Sequence, residues 1–183
     1  YKAFSWRFWF LTSSDSGRIG VVLPRSVLNA LGSEDFRFVI FKESKSIEIT
    51  TLINKSKWIF DVDPRYSIAL LSITKSSVSS KSRLKIQGPY SSLKDYQECL
   101  NKSVVSLSGD EILKWTKSAS LPLLHSQECY ETFSTLRHHP NLDHDQINEW
   151  RTLPMTELHA TQDKKLMDMS IAKTNKEYFP VLK

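Results

Sequence analysis

Two runs rich in β-branched residues, SIEITTLI (46–53) and YSIALLSIT (66–74), are separated only by residues 54–65. A connection that short cannot hold a crossover helix, so the two runs must pair antiparallel. Upstream, the apolar run RIGVVLP (18–24) closes on Pro24 and reads as a strand buried on both faces. Pro24 also suits the start of a helix, and RSVLNAL (25–31) ends against Gly32, a plausible helix C-cap. Ser33 with Glu34 and Asp35 opens a further helix through DFRFVIFKES. Residues 1–12 carry Phe4, Trp6, Phe8, Trp9, Phe10 and Leu11 on almost every side, the pattern of a helix enclosed from several directions. RLKIQG (83–88) adds an edge strand. Helix and strand alternating into an antiparallel pair predict an α/β fold: a mostly parallel, partial Rossmann-like sheet with one reversed strand.

After Gly88 and Pro89 the character changes. SSLKDYQECL, SGDEILKWTKS and HSQECYETFSTLRHH read as short helices with Ser or Asp starts, so a mostly helical connector follows the sheet. Three regions are expected: 1–90 as the sheet block, 91–149 as the helical connector, and 150–183 as a less regular stretch. KSSVSSKS (75–82) looks like a mobile loop. At 183 residues and 40% apolar, one substantial core can be buried. No window reaches the length of an apolar membrane span, and the aromatic start lacks a signal-peptide cleavage site, so a soluble cytoplasmic chain is expected. Cys99 and Cys129 stand far apart and outside metal-ligand spacing, so reduced thiols are expected and a disulfide framework is not. A formal charge of +5 favours an anionic partner.

Several groups could carry chemistry. NKSKWIFDVDPRYSIALLSI (54–73) places Trp58, Phe60 and Tyr66 around Asp61–Pro64, either as core rings beside a plain connection or as a ring held at the mouth of a pocket. Arg25 and Ser26 follow the carboxyl end of the IGVVL strand, where ligands of open α/β sheets lie; the alternative is a helix start with a solvated Arg. His138, His139 and His144 beside Asp143 and Asp145 invite a metal reading, but adjacent side chains diverge and a solvated linker is the expectation. Glu157, His159, Asp163, Lys164 and Lys165 lack a nucleophile at fixed spacing and read as a polar packing segment. Five glycines leave little room for a phosphate-binding turn, and neither a glycine-rich phosphate loop nor a nucleophile elbow occurs.

The order of these pieces resembles a known family. YKAFSWRFWFLTSSDSGRIGVVLPRSVLNALGSEDFR followed by NKSKWIFDVDPRYSIALLSI is similar to the second half of the catalytic domain of adenine-specific DNA methyltransferases of the restriction-modification and phage-defence type. LPLLHSQECYETFSTLRHHPNLD and WRTLPMTELHATQDKKLMD resemble the stretch that leads, in larger members, toward the DNA target-recognition domain. The resemblance implies a Rossmann-like sheet whose last strand is reversed. It implies S-adenosylmethionine as cofactor, with Tyr1 at the wall of its pocket, and double-stranded DNA as partner. It also implies a ring that receives the extruded adenine, for which Phe60 is the first choice and Trp58 the second; extrusion is needed because the exocyclic amine is hidden inside a duplex.

The family's glycine-containing cofactor motif and its Asn-Pro-Pro-aromatic catalytic loop do not occur in residues 1–183. No residue here takes the role of polarising the adenine amine, and Tyr1 stands where the chain would leave that loop. The expectation is therefore a segment that completes its sites with the remainder of a longer methyltransferase chain and is inactive alone. A competing expectation is a non-catalytic DNA-binding or interaction module derived from such an enzyme. A basic RNA-binding domain ranks last, because the aromatic signature of an RNA-reading sheet is not visible. The recognised DNA sequence and the oligomeric state are not legible from these residues.

Overall fold

The computed structural model describes residues 1–76, 82–99, 104–140 and 163–164. Tyr1–His139 forms one compact unit. The loop residues 77–81, the group Asp143, His144 and Asp145, and Glu157, His159 and Lys165 lie outside the described residues, as does the predicted region 150–183 apart from Asp163 and Lys164.

The elements run α1 (Lys2–Leu11), β1 (Arg18–Pro24), a 3-10 turn (Arg25–Leu28), α2 (Glu34–Glu43), β2 (Ser44–Ile53), a second 3-10 turn (Lys55–Lys57) and β3 (Ser67–Lys75). They continue with β4 (Arg83–Tyr90), α3 (Leu93–Cys99), β5 (Val104–Ser108), α4 (Gly109–Trp115) and α5 (Gln127–Leu136). The fold is α/β, built on one five-stranded mixed sheet ordered β1-β3-β2-β4-β5. As the short connection requires, β2 and β3 pair antiparallel, with Ile53 opposite Ser67 and Ile49 opposite Leu71. β3 also pairs antiparallel with β1, so it lies reversed between two strands that share a direction. β4 pairs parallel with β2, and β5 pairs antiparallel with β4.

Four sequence expectations need correction. The sheet is mixed rather than mostly parallel, because β3 and β5 are both reversed against their neighbours. β4 is an interior strand rather than an edge, since the five-residue run VVSLS forms β5 beside it within the stretch read as helical. β1 is an edge strand, as is β5, and its alternating burial, with Ile19 and Leu23 inward and Val22 outward, marks a strand covered on one face. α1 buries only Ser5 and Trp9, leaving Phe4, Phe8, Phe10 and Leu11 exposed, because a single helical layer packs on that side of the sheet.

The two faces differ. Ile47, Ile49, Ala69, Leu71, Ile73, Leu84, Ile86, Val105 and Leu107 point to one side and meet Trp9, Phe36, Ile40, Phe41, Ile112 and Trp115 from the helices. Each large side chain buried there contributes about 1.5–3 kcal/mol. Among the described residues, the opposite face is covered at one end only, where Leu52, Ile68 and Tyr90 pack under Trp58, Ile59, Tyr96 and Cys99. The rest of that face, including Gly20, Val22, Glu48, Thr50, Leu70 and Ser72, lines an open groove.

Two polar ties fix the helical layer. Lys75 is nearly buried and donates from Nζ to the carbonyls of Trp9 (2.9 Å) and Thr12 (3.0 Å), with the ammonium 4.4 Å from the Trp9 ring centroid. A cation on the terminal carbonyls of α1 offsets the negative end of its dipole. Arg37, fully buried on α2, donates to the carbonyls of Val27, Ala30 and Ser118, joining the first 3-10 turn to the segment after α4.

Among the described residues no helix is long and apolar enough to cross a membrane.

Candidate functional site

The register places the sequence-predicted residues at one end of the sheet. Pro24 lies opposite Ile68 and Ile53 opposite Ser67, so the turn after β1 and the loop 54–66 leave from the same edge. β4 runs parallel to β2 and brings Tyr90 beside Leu52 there as well. This is the carboxyl end of β1, β2 and β4, where open α/β sheets bind ligands.

The loop is organised by Asn54, a fully buried residue directly after β2. Its Oδ1 accepts from the backbone N–H groups of Ile59 (3.2 Å) and Phe60 (3.3 Å), and its Nδ2 donates to the Phe60 carbonyl at 2.9 Å. Its own N–H donates to the Tyr66 carbonyl. One amide thus satisfies both sides of the Phe60 backbone. Ser56 and Lys57 take left-handed φ values of 61° and 57°, a conformation that costs a non-glycine residue about 1–2 kcal/mol. Asn54 and the Trp58 indole, which donates to the Ile53 carbonyl at 2.8 Å, hold the loop in that shape.

The two candidate rings are placed differently. Trp58 is half-buried against Leu52, Ile68 and Tyr90, with its N–H engaged on the backbone of β2. Phe60 is 46% exposed on a backbone that cannot swing freely, and Val62 and Tyr66 are exposed near it in the chain. Lys57 pairs with Asp61 and Arg65 with Asp63 within the loop, and the half-buried Asp63 carboxyl is held below its ordinary range chiefly by the Arg65 side chain.

Tyr1 meets the turn after β1 at Ser26, which follows Arg25 in the chain. Ser26 Oγ donates to the Tyr1 phenol oxygen at 3.0 Å. That bond is the main cause lowering the phenol below its ordinary value; burial opposes it, and Ser33, Lys2 and Arg37 add to it. Arg25 is half-buried, and desolvation lowers its guanidinium. With the Ser26 hydrogen given to the phenol oxygen, the arrangement offers the Arg25 guanidinium and the phenol hydrogen of Tyr1 as donors at this end of the sheet.

Set against known proteins, the chain matches no protein-family model and no curated protein. Two solved structures similar to it are restriction-modification proteins. One is the ATP-dependent Type ISP restriction-modification enzyme LlaBIII bound to DNA, at 13% identity and a TM-score of 0.43, with 58% of this chain and 8% of that one covered. The other is a modification subunit assigned to a type I restriction enzyme from Vibrio vulnificus YJ016, at 21% identity and a TM-score of 0.41, with 63% of this chain and 27% of that one covered. The chain therefore spans less than a third of the length of either protein.

Sequence reasoning passed over Asn54, whose only signal in the sequence is an Asn at the end of a β-branched run. An Asn at the end of a β-branched run, followed by residues in left-handed conformations, is the usual signature of a side chain closing a turn on the backbone. His138 and His139 end the described body, where the His138 ring nitrogen Nδ1 lies 2.8 Å from the Ser134 carbonyl, a local contact with the last helix.

Proposed function

We propose that this chain is part of an adenine-specific DNA methyltransferase, supplying the second half of its catalytic sheet, and that Phe60 is the ring on which the extruded adenine stacks. The observation that carries the reading is a half-exposed Phe60 ring on a backbone locked by a buried Asn54, at the carboxyl end of co-directed strands. A ring so placed returns roughly 1–3 kcal/mol of the stacking an adenine loses on leaving a duplex. The reversed β3 between β1 and β2 agrees with the family's sheet, whose last strand is reversed. Trp58, the other candidate ring, acts from beneath the loop by keeping it on β2.

The methyl donor is S-adenosylmethionine, which supplies an activated methyl group for direct in-line attack by the exocyclic amine. The Arg25 guanidinium and the phenol hydrogen of Tyr1 suit the carboxylate of its methionyl part or a DNA phosphate, and the Tyr1 ring suits a wall of that pocket. In-line transfer needs no covalent protein intermediate, so alignment and the field around the reacting atoms carry the rate. This chain's share is alignment: Phe60 fixes the plane of the base, and Asn54 fixes Phe60.

The test is methyl transfer from labelled cofactor to duplex DNA by the longer enzyme, with N6-methyladenine identified in the product. Phe60→Ala is expected to lower the rate about 10- to 100-fold while leaving the fold intact. Unchanged transfer in Phe60→Ala, or transfer by residues 1–183 alone, would overturn the reading.

A further inference from the structure

At the opposite end of the sheet, the uncovered face carries a second feature. β2, β4 and β5 place Ser46, Arg83, Lys85, Ser106 and Ser108 around a depression of about 770 Å³, with Lys45 at its rim. Arg83, Lys85 and Ser106 face outward because the alternate residues Leu84, Ile86, Val105 and Leu107 fill the core. Lys45, Arg83 and Lys85 form no ion pair among the described residues. Of the side chains that the paired stretches of these three strands set on this face, the acid is Glu48, in register with Lys85. Ser82, in phase with Leu84 and Ile86, turns its side chain to the core side beside Gly109, so the outward hydroxyls of the depression are those of Ser46, Ser106 and Ser108.

The chemistry selects the ligand. Cations and hydroxyl donors without an aromatic ring in the lining suit phosphate oxygens and offer no platform for stacking bases. Arg83 and Lys85 lie two residues apart on one strand face, about 6.6 Å, which suits neighbouring phosphates of one backbone. The depression lies about 25 Å along β2 from Asn54 by strand rise, so its ligand does not compete with a base at Phe60.

We propose that this face binds the phosphate backbone of double-stranded DNA through Lys45, Arg83, Lys85 and Ser106, as a contact separate from the Phe60 end. The choice of DNA rests on the methyltransferase reading; the anion site itself does not.

The experiment measures binding of a random-sequence duplex to the chain by fluorescence anisotropy across a salt series. The double substitution R83Q/K85Q is expected to weaken binding and to lower the slope of log affinity against log salt by roughly 1.8, the release of two counterions. K114Q/K117Q removes the same charge elsewhere and is expected to leave the slope nearly unchanged. Thermal melts by circular dichroism establish that both variants fold. Equal slopes in the two double variants would overturn the proposal, as would loss of binding to phosphatidylserine vesicles with duplex binding intact. Because no methyl transfer is read, failure here leaves the Phe60 reading standing, and failure of Phe60→Ala leaves this site standing.

Discussion

Replacing Asn54 with Ala removes three hydrogen bonds at once, and the structure sets the size of the effect. The Ile59 and Phe60 amides and the Phe60 carbonyl lose their partner. A polar group left unsatisfied inside a protein costs about 1–3 kcal/mol. Ile59 is only half-buried and Phe60 is exposed, so water replaces part of the loss and the low end applies, near 1 kcal/mol for each group. Relief of the left-handed Ser56 and Lys57 offsets a further part as the loop relaxes. The net expectation is a destabilisation of about 2–3 kcal/mol, concentrated in the loop. In urea the midpoint should fall by roughly 1 M with an unchanged slope, because β2 and β3 still pair. Hydrogen exchange should show the Ile59 and Phe60 amides exposed at a free energy well below that of global unfolding. Asn54→Asp keeps two acceptors, loses the donor to Phe60 and buries a charge, so its stability should recover as pH falls and the carboxyl is protonated. A midpoint unchanged in Asn54→Ala, with both amides as protected as in the wild type, would refute the idea that this amide holds Phe60 in place.

Other outcomes follow from the same packing. Phe60→Ala should change stability by about 1 kcal/mol or less in chemical denaturation, since the ring is half exposed, separating its role from that of Asn54. Lys75→Ala should cost about 2 kcal/mol or more and loosen α1, read as faster exchange of the α1 amides, because the Trp9 and Thr12 carbonyls lose their donor. Trp115→Ala should cost about 3–5 kcal/mol by urea unfolding, since the buried ring meets Phe133 edge-on at 5.0 Å and also packs against Tyr130. Burial first, and for Tyr130 also its bond to Glu111, raise the Tyr90 and Tyr130 phenols above the ordinary value near 10. A raised phenol stays protonated in the folded chain while the unfolded chain ionises, so this stability is full below about pH 10 and declines as pH climbs from there toward the folded value. Tyr130→Phe should flatten that alkaline decline in urea titrations at successive pH values.

Much of the fold could be read from local pattern, and the misses share one cause. The connection 54–65 was too short for a helix, which settled the β2–β3 pairing from length alone. Nothing local told β3 to enter between β1 and β2, because insertion is set by the shared helical layer over Ile19, Leu71 and Ile49. VVSLS was lost behind the stronger helical signal of GDEILKW, and its strand character appears only beside Leu84 and Ile86. The aromatic wealth of residues 1–12 was read as enclosure, yet one layer of core can satisfy only the Trp9 side.

The site was partly legible. Tyr1 was named apart from the neighbours Arg25 and Ser26, and the fold joins it to that pair through the Ser26–Tyr1 hydrogen bond. The difference between Trp58 and Phe60 was not legible, because it depends on where an indole N–H finds a carbonyl. Asn54 was the missing piece, since an Asn opening the polar stretch Asn54–Lys57 looks like plain loop until its three backbone partners are seen.

The claim that Phe60 receives an unstacked adenine can be measured without knowing a recognition sequence. Binding of the chain is compared for a fully paired duplex and for the same duplex with one adenine opposite an abasic position, where extrusion costs least. The wild-type chain should favour the unpaired adenine by about tenfold, near 1.4 kcal/mol, and Phe60→Ala should abolish that preference. A preference of equal size in Phe60→Ala would contradict the account.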